Sequence, residues 1–384
     1  MTPTSKLDTL DQNDLGSLFA ELGREAAAFR FRVAPNPCVG AALLSGTHVV
    51  ARGFHEHWGG PHAEIVALQG ARALGEAGRF DTLVTTLEPC SSTDKTGPCT
   101  QAILEAGVRR VVVGALDPDR RHRGKGLALL EQVGVDVQLV SGSAPLEAVA
   151  PHFLRWTAVE RVGRPRPWVI AKWAQTRTGQ LTPPKGSGDG LRISGPEAAA
   201  EVQELRGRVD AIVTGVGTVL RDDPRLTVRP PGDVSRPPLR VILDTELRTP
   251  PEARLLQPPG PDEAGGEVLI LCRAGAAPKR HRDLEAGAVR VLGLHPGPSG
   301  RVSLRDALEA LWREGARRVL LETGPTLLEA FFDAGFIDQI AVYTAQINGG
   351  EGPSLGARLT SDRLLQIARR EVGGDALLEA FVRP

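Results

Sequence analysis

One imidazole, two thiols and one carboxylate occur near the N-terminus with the spacing of a hydrolytic metal site. His62 and Glu64 are separated by one residue, and Cys90 and Cys99 each follow a proline. Three protein ligands of these types leave the fourth position of a catalytic zinc open for water. Zinc lowers the pKa of that water to about 7, and a glutamate that is not a ligand can transfer the protons.

A His-x-Glu pair alone carries little weight, because unrelated core and loop residues often produce it. The two Pro-Cys pairs make the combination specific, and we expect both cysteines at helix starts, where the helix dipole favours a thiolate. We therefore predict a Zn²⁺ site formed by His62, Cys90 and Cys99, with Glu64 as the catalytic residue.

A second group of candidate residues lies at two glycine-containing turns in the C-terminal half. The segment Asp210–Arg229 passes from an apolar strand into Gly215-Val-Gly-Thr218, and Leu321–Thr326 repeats this pattern. Glycine lets backbone amides approach a phosphate closely, although strand-to-helix turns also use glycine for steric reasons. Two such turns suit a dinucleotide, but their spacing differs from the Gly-x-Gly-x-x-Gly fingerprint of a Rossmann domain.

The elements that position these residues alternate between strands and helices, which indicates an α/β fold with a sheet covered on both faces. In the N-terminal half we predict a helix behind the cap Asn13, helices from Pro61 or His62, from Pro98 and from Leu127, and strands at Cys38–Leu44, His48–Phe54, Thr82–Leu87, Arg109–Val113 and Val135–Val140. In the C-terminal half we predict helices at Pro196–Leu205, Ser303–Arg313 and Thr326–Ala334, and strands at Trp168–Trp173, Ala211–Thr214, Leu239–Asp244, Val268–Cys272 and Arg318–Glu322.

The chain length of 384 residues favours two domains. The segment Arg161–Pro167 contains two prolines, one glycine and three arginines, which is typical of an extended connector. We predict an N-terminal domain at 1–160 and a C-terminal domain at 168–384.

Composition excludes several classes of protein. Lys+Arg and Asp+Glu both number 46, so no net charge draws the chain to nucleic acid or to an anionic membrane. The densest basic cluster, within Arg120–Lys125, is typical of a solvated loop. The N-terminus has no apolar run, and no segment approaches the roughly 20 apolar residues that a bilayer requires. We interpret Cys38 and Cys272 as core residues and expect a cytoplasmic homo-oligomer that acts on a small molecule.

Four segments give the N-terminal half a specific resemblance. Ala34–Gly40, Gly60–Glu64, Thr86–Cys90 and Thr96–Cys99 resemble the motifs of the bacterial bifunctional deaminase/reductases of riboflavin biosynthesis. Eight residues separate the two cysteines, whereas nucleoside and tRNA deaminases usually have a shorter spacing. The resemblance implies a cytidine-deaminase-like α/β/α sandwich, and its substrate pocket would include Asn36, His55, Lys95 and Asp117.

The C-terminal half resembles the reductase half of the same enzymes, which is similar to dihydrofolate reductase in fold. The resemblance follows the order of Lys172, Gly179, the two glycine-containing turns and the residues between them. It implies NADPH contacts by Ala174, Thr218, Asp222 and Gly324, and substrate contacts by Arg206, Leu226, Arg229 and Glu322. A guanidinium binds phosphate through paired donors, although either arginine could instead pair with a carboxylate.

Two positions depart from the family pattern: Thr178 stands where an acid is usual, and Arg192 where a tryptophan is expected. The resemblance implies hydrolytic deamination of 2,5-diamino-6-(5-phosphoribosylamino)pyrimidin-4(3H)-one, followed by NADPH-dependent reduction of the ribosyl group to ribityl. One alternative keeps the deaminase but makes the second domain a degenerate binding or dimerisation module. Another is a deaminase that edits nucleic acid, against which the neutral charge and the cysteine spacing argue.

Overall fold

The computed structural model describes residues 11–92, 97–140, 150–184, 193–230, 236–286 and 289–383. The chain divides into two compact units, Met1–Arg164 and Pro165–Pro384. The division lies inside the proline- and arginine-rich segment Arg161–Pro167. Among the described helices, none is long and apolar enough to cross a bilayer.

Strands and helices alternate in the N-terminal unit. The strands are β1 (Gly40–Ser45), β2 (His48–Phe54), β3 (Thr82–Thr85), β4 (Arg110–Val113) and β5 (Asp136–Leu139). The helices are α1 (Gln12–Ala26), α2 (Arg30–Val33), α3 (Ala63–Ala73), α4 (Cys99–Glu105), α5 (Lys125–Gln132), α6 (Pro151–Trp156) and α7 (Val159–Gly163), with a 3-10 turn at Ala27–Phe29. The described strands form one sheet in the order β2-β1-β3-β4-β5, in which β3, β4 and β5 run parallel.

Helices cover both faces of this sheet. Alternate residues of β1 point to opposite sides, so that Ala42 and Leu44 pack against the apolar face of α1. Ala41 and Leu43 join the other core cluster, which contains buried residues of α3, α4 and α5. The predicted α/β/α sandwich is therefore confirmed.

Some local predictions in this unit were wrong. The cap of α1 is Asp11, whose carboxylate accepts the backbone N–H groups of Asn13 and Asp14, both at 2.8 Å. The helix α3 begins at Ala63, so Pro61 lies before the helix and not in its first turn. Of the two cysteines, only Cys99 begins a helix, because Ser91 and Ser92, which follow Cys90, are not helical.

The C-terminal unit is built on a larger mixed sheet. Its strands are β6 (Trp168–Gln175), β7 (Gln180–Thr182), β8 (Ala211–Gly215), β9 (Leu239–Leu243), β10 (Val268–Arg273), β11 (Arg290–Leu294), β12 (Arg318–Leu321), β13 (Gln339–Thr344), β14 (Glu351–Ser354), β15 (Leu364–Val372) and β16 (Asp375–Val382). Its helices are α8 (Pro196–Gly207), α9 (Val216–Asp222), α10 (Pro278–Ala286), α11 (Leu304–Arg313) and α12 (Pro325–Asp333), with 3-10 turns at Arg254–Leu256 and Gly356–Arg358.

Nine described strands of this unit pair in the order β11-β10-β9-β8-β12-β6-β13-β16-β15, while β7 and β14 form a separate pair. The sheet is parallel from β11 to β13, and β16 and β15 are added antiparallel. Helices α11 and α12 bury Leu308, Leu311 and Phe331 against the central strands. Because β8 and β12 are parallel neighbours, the two glycine-containing turns that follow them lie side by side at the carboxyl ends of these strands.

Candidate functional site

The predicted zinc ligands lie together in the N-terminal unit. His62 is the residue before α3, Cys99 is the first residue of α4, and Cys90 lies in the loop after β3. The imidazole Nδ1 of His62 is 3.2 Å from Cys99 Sγ and 3.5 Å from Cys90 Sγ. All three ligand atoms lie within 4.8 Å of one another.

These separations fit a tetrahedral zinc ion. Zn–S bonds of about 2.3 Å and Zn–N bonds of about 2.0–2.1 Å place tetrahedral ligand atoms about 3.5–3.8 Å apart. The two measured Nδ1–Sγ distances lie at or slightly below this range. With two thiols and one imidazole the donor set suits zinc, and three ligands leave one coordination position for water.

The two thiols are electronically different. The hydrogen bond with the Cys99 thiol, together with hydrogen bonds from His62 and from the Cys99 backbone N–H, outweighs burial and lowers the pKa of Cys90 to about 4. The same hydrogen bond and burial raise the pKa of Cys99. Because a thiolate is the form that binds metal, the lowered pKa of Cys90 suits its role as a ligand.

Glu64 is buried beside the ligands, in the first turn of α3. Burial raises the pKa of its carboxyl, and the charge of Cys90 adds to this effect. The position depends on a close approach between α3 and β2 at Gly53, where a Cβ atom would lie 2.2 Å from Ala67 N and 2.3 Å from Ala63 O. A carboxyl with a raised pKa, next to the metal ligands, holds a proton more readily than an exposed carboxyl and so is suited to proton transfer.

A cavity of about 190 Å³ opens onto these groups, and its lining includes the predicted pocket residues Asn36, His55 and Asp117. Asn36 Nδ2 lies 3.1 Å from His55 Nε2, and His55 Nδ1 lies 2.9 Å from Pro61 O. Burial lowers the pKa of His55 to about 4, which keeps its ring neutral at physiological pH. Lys95, the fourth predicted pocket residue, lies outside the described residues.

Glu88 was not assigned a role from the sequence, although it stands inside the Glu-Pro-Cys motif. Its buried carboxylate accepts three backbone N–H groups, from Asp117 at 3.1 Å, Gly124 at 2.8 Å and Gly126 at 2.9 Å. These bonds fix both ends of the loop that contributes Asp117 and His122 to the cavity wall. The sequence signal that could have identified Glu88 was its place as an acidic residue in a motif already selected.

His152 is a second residue that the sequence gave no reason to select. It lies in α6, far along the chain from the zinc ligands, and its Nε2 is 2.8 Å from the backbone oxygen of Asn36. Its ring is buried, and burial lowers its pKa to about 4. A neutral ring whose Nε2 carries the proton donates this hydrogen bond and fixes the backbone of a cavity residue.

The C-terminal unit brings the other predicted residues together. One cavity of about 480 Å³ is lined by Lys172 and by all eight residues assigned to NADPH or to the reductase substrate: Ala174, Arg206, Thr218, Asp222, Leu226, Arg229, Glu322 and Gly324. The two glycine-containing turns are joined by hydrogen bonds from Gly324 N to Thr218 Oγ1, 3.1 Å, and from Gly215 N to Thr323 Oγ1, 3.2 Å. A cavity bordered by two such backbone turns fits a dinucleotide such as NADPH.

Arg206 and Glu322 form a bidentate ion pair inside this cavity. Arg206 Nε and Nη2 donate to the two Glu322 oxygens at 2.7 and 2.8 Å, and Nη1 donates to the Thr227 carbonyl at 2.9 Å. Burial favours the neutral form of Glu322, but the charges of Arg206 and Lys172 and the Arg206 hydrogen bonds hold its pKa below its ordinary value. Two of the five guanidinium N–H groups are left for a ligand.

Of the two positions that depart from the family pattern, Thr178 and Arg192, only Thr178 is among the described residues. Thr178 lies in the exposed turn between β6 and β7, where its hydroxyl is 3.0 Å from the Gly349 carbonyl oxygen. It is not among the described residues that line the cavity of about 480 Å³. Arg192 lies outside the described residues.

Asp222, which the family resemblance assigns to the cofactor, does line the cavity. Its carboxylate accepts two hydrogen bonds from Arg221, at 2.8 and 3.0 Å.

Comparisons with known proteins agree with both units. Residues 18–115 match the cytidine and deoxycytidylate deaminase zinc-binding region, and residues 167–375 match the RibD C-terminal domain. The chain is 36% identical to the riboflavin biosynthesis protein RibD of Aquifex aeolicus, over 84% of each chain.

Two solved structures are similar along almost the whole chain. Acinetobacter baumannii RibD, form 1, is 27% identical with a TM-score of 0.65, and the match covers 97% of this chain and 100% of that one. A diaminohydroxyphosphoribosylaminopyrimidine deaminase/5-amino-6-(5-phosphoribosylamino)uracil reductase from Thermotoga maritima is 25% identical with a TM-score of 0.63, covering 97% and 99%. With a zinc-type deaminase site in one unit and a reductase cavity in the other, this chain belongs to the RibD family of riboflavin biosynthesis proteins.

Proposed function

We propose that the N-terminal unit deaminates 2,5-diamino-6-(5-phosphoribosylamino)pyrimidin-4(3H)-one at the cavity that His62, Glu64 and Cys90 line. The observation that carries this proposal is the convergence of one imidazole and two thiols beside a buried carboxyl. Water replaces the exocyclic amine on the pyrimidine ring, and ammonia leaves. A zinc ion in such a site activates the water as a Lewis acid.

Glu64 carries the protons of this reaction. It takes one from the attacking water, delivers it to a ring nitrogen, and supports proton transfer to the departing amine. Its burial suits this role, because a carboxyl whose pKa lies closer to neutrality exchanges protons more readily in both directions. Asn36, His55 and Asp117 orient the pyrimidine, and His55 does so as a neutral hydrogen-bonding group.

The C-terminal unit then reduces the ribosyl group of the deaminated product to ribityl. NADPH supplies a hydride to C1 of the opened sugar, and a proton completes the reduction. Ala174, Thr218, Asp222 and Gly324 contact the cofactor in this proposal. Arg206, Leu226, Arg229 and Glu322 contact the phosphosugar, and Glu322 holds the Arg206 guanidinium in one orientation.

Two substitutions test the deaminase assignment. Cys90→Ser should lose zinc and deamination together, because it removes a thiolate ligand. Glu64→Gln should retain zinc, measured by metal analysis, and lose deamination, because the amide cannot carry protons. The control in both variants is the reductase activity, which is measured with already deaminated substrate and should remain at the wild-type level. Full zinc occupancy and full deamination in Cys90→Ser would overturn the assignment.

We also infer a cytoplasmic homo-oligomer with no nucleic-acid partner. The equal numbers of acidic and basic residues support the last point, and four cysteines, all without a disulfide, are too few for a disulfide scaffold, which fits a reducing compartment. Light scattering of the purified chain measures the oligomeric state, and cell fractionation measures the location. Retention on heparin at moderate salt would argue for a nucleic-acid partner.

A further inference from the structure

Helix α6 lies next to the deaminase cavity, the cavity of about 190 Å³ beside the zinc ligands, although it is far from those ligands along the chain. The match to the deaminase zinc-binding region covers residues 18–115 and therefore ends before α6. Phe153 of α6 nevertheless lines the cavity, and Leu154 and Trp156 pack against the core of the unit. His152, on the same helix, therefore has a fixed position beside the cavity wall.

Three hydrogen bonds connect His152 with the segment that carries the zinc ligand His62. His152 Nε2 is 2.8 Å from the backbone oxygen of Asn36. The side chain of Asn36 continues the series, with Nδ2 at 3.1 Å from His55 Nε2, and His55 Nδ1 is 2.9 Å from Pro61 O. Asn36 and His55 line the cavity, and Pro61 directly precedes His62. This series of bonds, the His152 relay, therefore joins α6 to the metal site along the cavity wall.

The donors and acceptors of the His152 relay follow from the chemistry of its groups. A carbonyl oxygen only accepts, so His152 Nε2 and His55 Nδ1 each carry a proton and donate it. The other nitrogen of His55 would donate as well if the ring were charged, but the ring is buried and lies near His57 and His62, which disfavours a positive charge. His55 Nε2 therefore accepts, and the Asn36 side chain donates to it through Nδ2.

The orientation of the Asn36 amide decides what Asn36 can offer to a ligand. His152 fixes the backbone of Asn36 and His55 fixes Nδ2, so the side-chain oxygen Oδ1 also has a fixed position. Among the described residues, no group donates a hydrogen bond to this oxygen, and Asn36 lines the cavity. Oδ1 is therefore an acceptor available to a bound molecule, and an N–H group is the donor that a pyrimidine amine or amide supplies.

We propose that His152 is a positioning residue of the deaminase, which holds Asn36 so that its Oδ1 accepts a hydrogen bond from an N–H group of the pyrimidine. The proposed substrate has such groups in its ring amines and at N3. The bond contributes to binding and orientation of the pyrimidine, whereas the zinc ligands and Glu64 perform the chemistry. This inference rests on the proposed deaminase function of the N-terminal unit.

Substitutions of His152 test its positioning role in the full-length, zinc-loaded protein with the diaminopyrimidinone ribosyl phosphate as substrate. His152→Phe removes the donor, so KM should rise on the order of 5-fold or more while kcat stays within about twofold. His152→Gln keeps an N–H group near the position of Nε2 and should restore KM to near the wild-type value. His48→Phe is the matched control, since His48 is exposed at the start of β2, and it should change neither constant.

Substitutions of Asn36 test the direction of the His152 relay. Asn36→Asp keeps an acceptor for the substrate and Asn36→Leu has none, so kcat/KM should be on the order of 10-fold or more lower in Asn36→Leu than in Asn36→Asp. If Asn36 instead donated to the substrate, both variants would lose that bond, because an ionised carboxylate cannot donate. Equal activity of the two variants, or lower activity of Asn36→Asp, would therefore overturn the inference.

A double-mutant cycle shows whether His152 acts through Asn36. In an Asn36→Leu background, His152→Phe should change KM by less than about twofold, because the side chain that His152 positions is gone. Zinc content and reductase activity report whether each variant is folded, and the smaller His152→Leu takes the place of His152→Phe if the latter does not fold. An equal effect in both backgrounds, or no effect on wild type, would overturn the inference alone. If wild type did not deaminate the substrate, the proposed deaminase function would fail together with it.

Discussion

Removing one oxygen acceptor from Glu88 should loosen one wall of the deaminase cavity without removing zinc. The Glu88 carboxylate accepts N–H groups from Asp117 and Gly124 through Oε2 and from Gly126 through Oε1. Glutamine at this position has the same shape but only one acceptor oxygen. At least one of the three N–H groups then faces an amide N–H instead of an oxygen.

The size of the effect follows from these contacts. A buried backbone donor left without its acceptor costs about 1–3 kcal/mol. The close packing of this loop leaves little room to adapt, because a Cβ on Gly126 would lie only 2.0 Å from Pro89 O. This cost lowers the free energy of local opening of the loop by the same amount. In Glu88→Gln, the amides of Asp117, Gly124 and Gly126 should therefore exchange with deuterium roughly 5- to 150-fold faster.

Hydrogen-exchange mass spectrometry measures this effect, with zinc content and deaminase kinetics on the same samples. We expect zinc content to stay at the wild-type level and KM to rise more than kcat falls, because the loop borders the cavity but carries no metal ligand. Glu105→Gln is the control, since Glu105 is exposed and, among the described residues, its carboxylate accepts a hydrogen bond from the Gln101 side chain and from no backbone N–H group of the cavity loop. Unchanged exchange across 116–126 in Glu88→Gln would refute the reasoning.

Three further outcomes follow from the reductase unit. Asp222→Ala should reduce NADPH affinity and consumption sharply, measured by fluorescence titration and absorbance. Thr178→Asp should change the rate only modestly, because the turn containing Thr178 is exposed and its side chain does not line the described cavity. Glu322→Gln should destabilise the unit by about 3–5 kcal/mol at neutral pH by leaving Arg206 buried without its partner. Because the folded pKa of Glu322 lies below its ordinary 4.5, thermal unfolding should show this difference shrinking only as pH falls below about 4.5.

The sequence predicted the zinc cluster well because its signal is chemical and local. His62, Cys90 and Cys99 are types that zinc prefers. His62 and Cys99 stand at the starts of two helices, and Cys90 follows a largely buried strand. Most of the central strands were also predicted, because buried parallel strands are short and almost wholly apolar. The segments β8 and β12 are examples, with every residue buried.

The elements that were missed have weaker signals. The last strands, β15 and β16, were not predicted, and β15 places Arg369, Arg370 and Glu371 in a run of exposed charges that hides its pairing. The Arg206–Glu322 pair joins residues 116 positions apart, and the bond between His152 and Asn36 spans the same separation. Contacts of this kind depend on tertiary structure, which no local pattern encodes.

The most direct test of the central claim supplies the diaminopyrimidinone ribosyl phosphate to the zinc-loaded protein, with and without NADPH, and identifies the products by mass spectrometry. Without NADPH, the product should have lost the exocyclic amine and kept its ribosyl group. With NADPH, it should also have gained a hydride and a proton at the sugar. A chain that deaminates but yields no ribityl product when NADPH is present would contradict the two-activity account, and the C-terminal unit would then be a binding module.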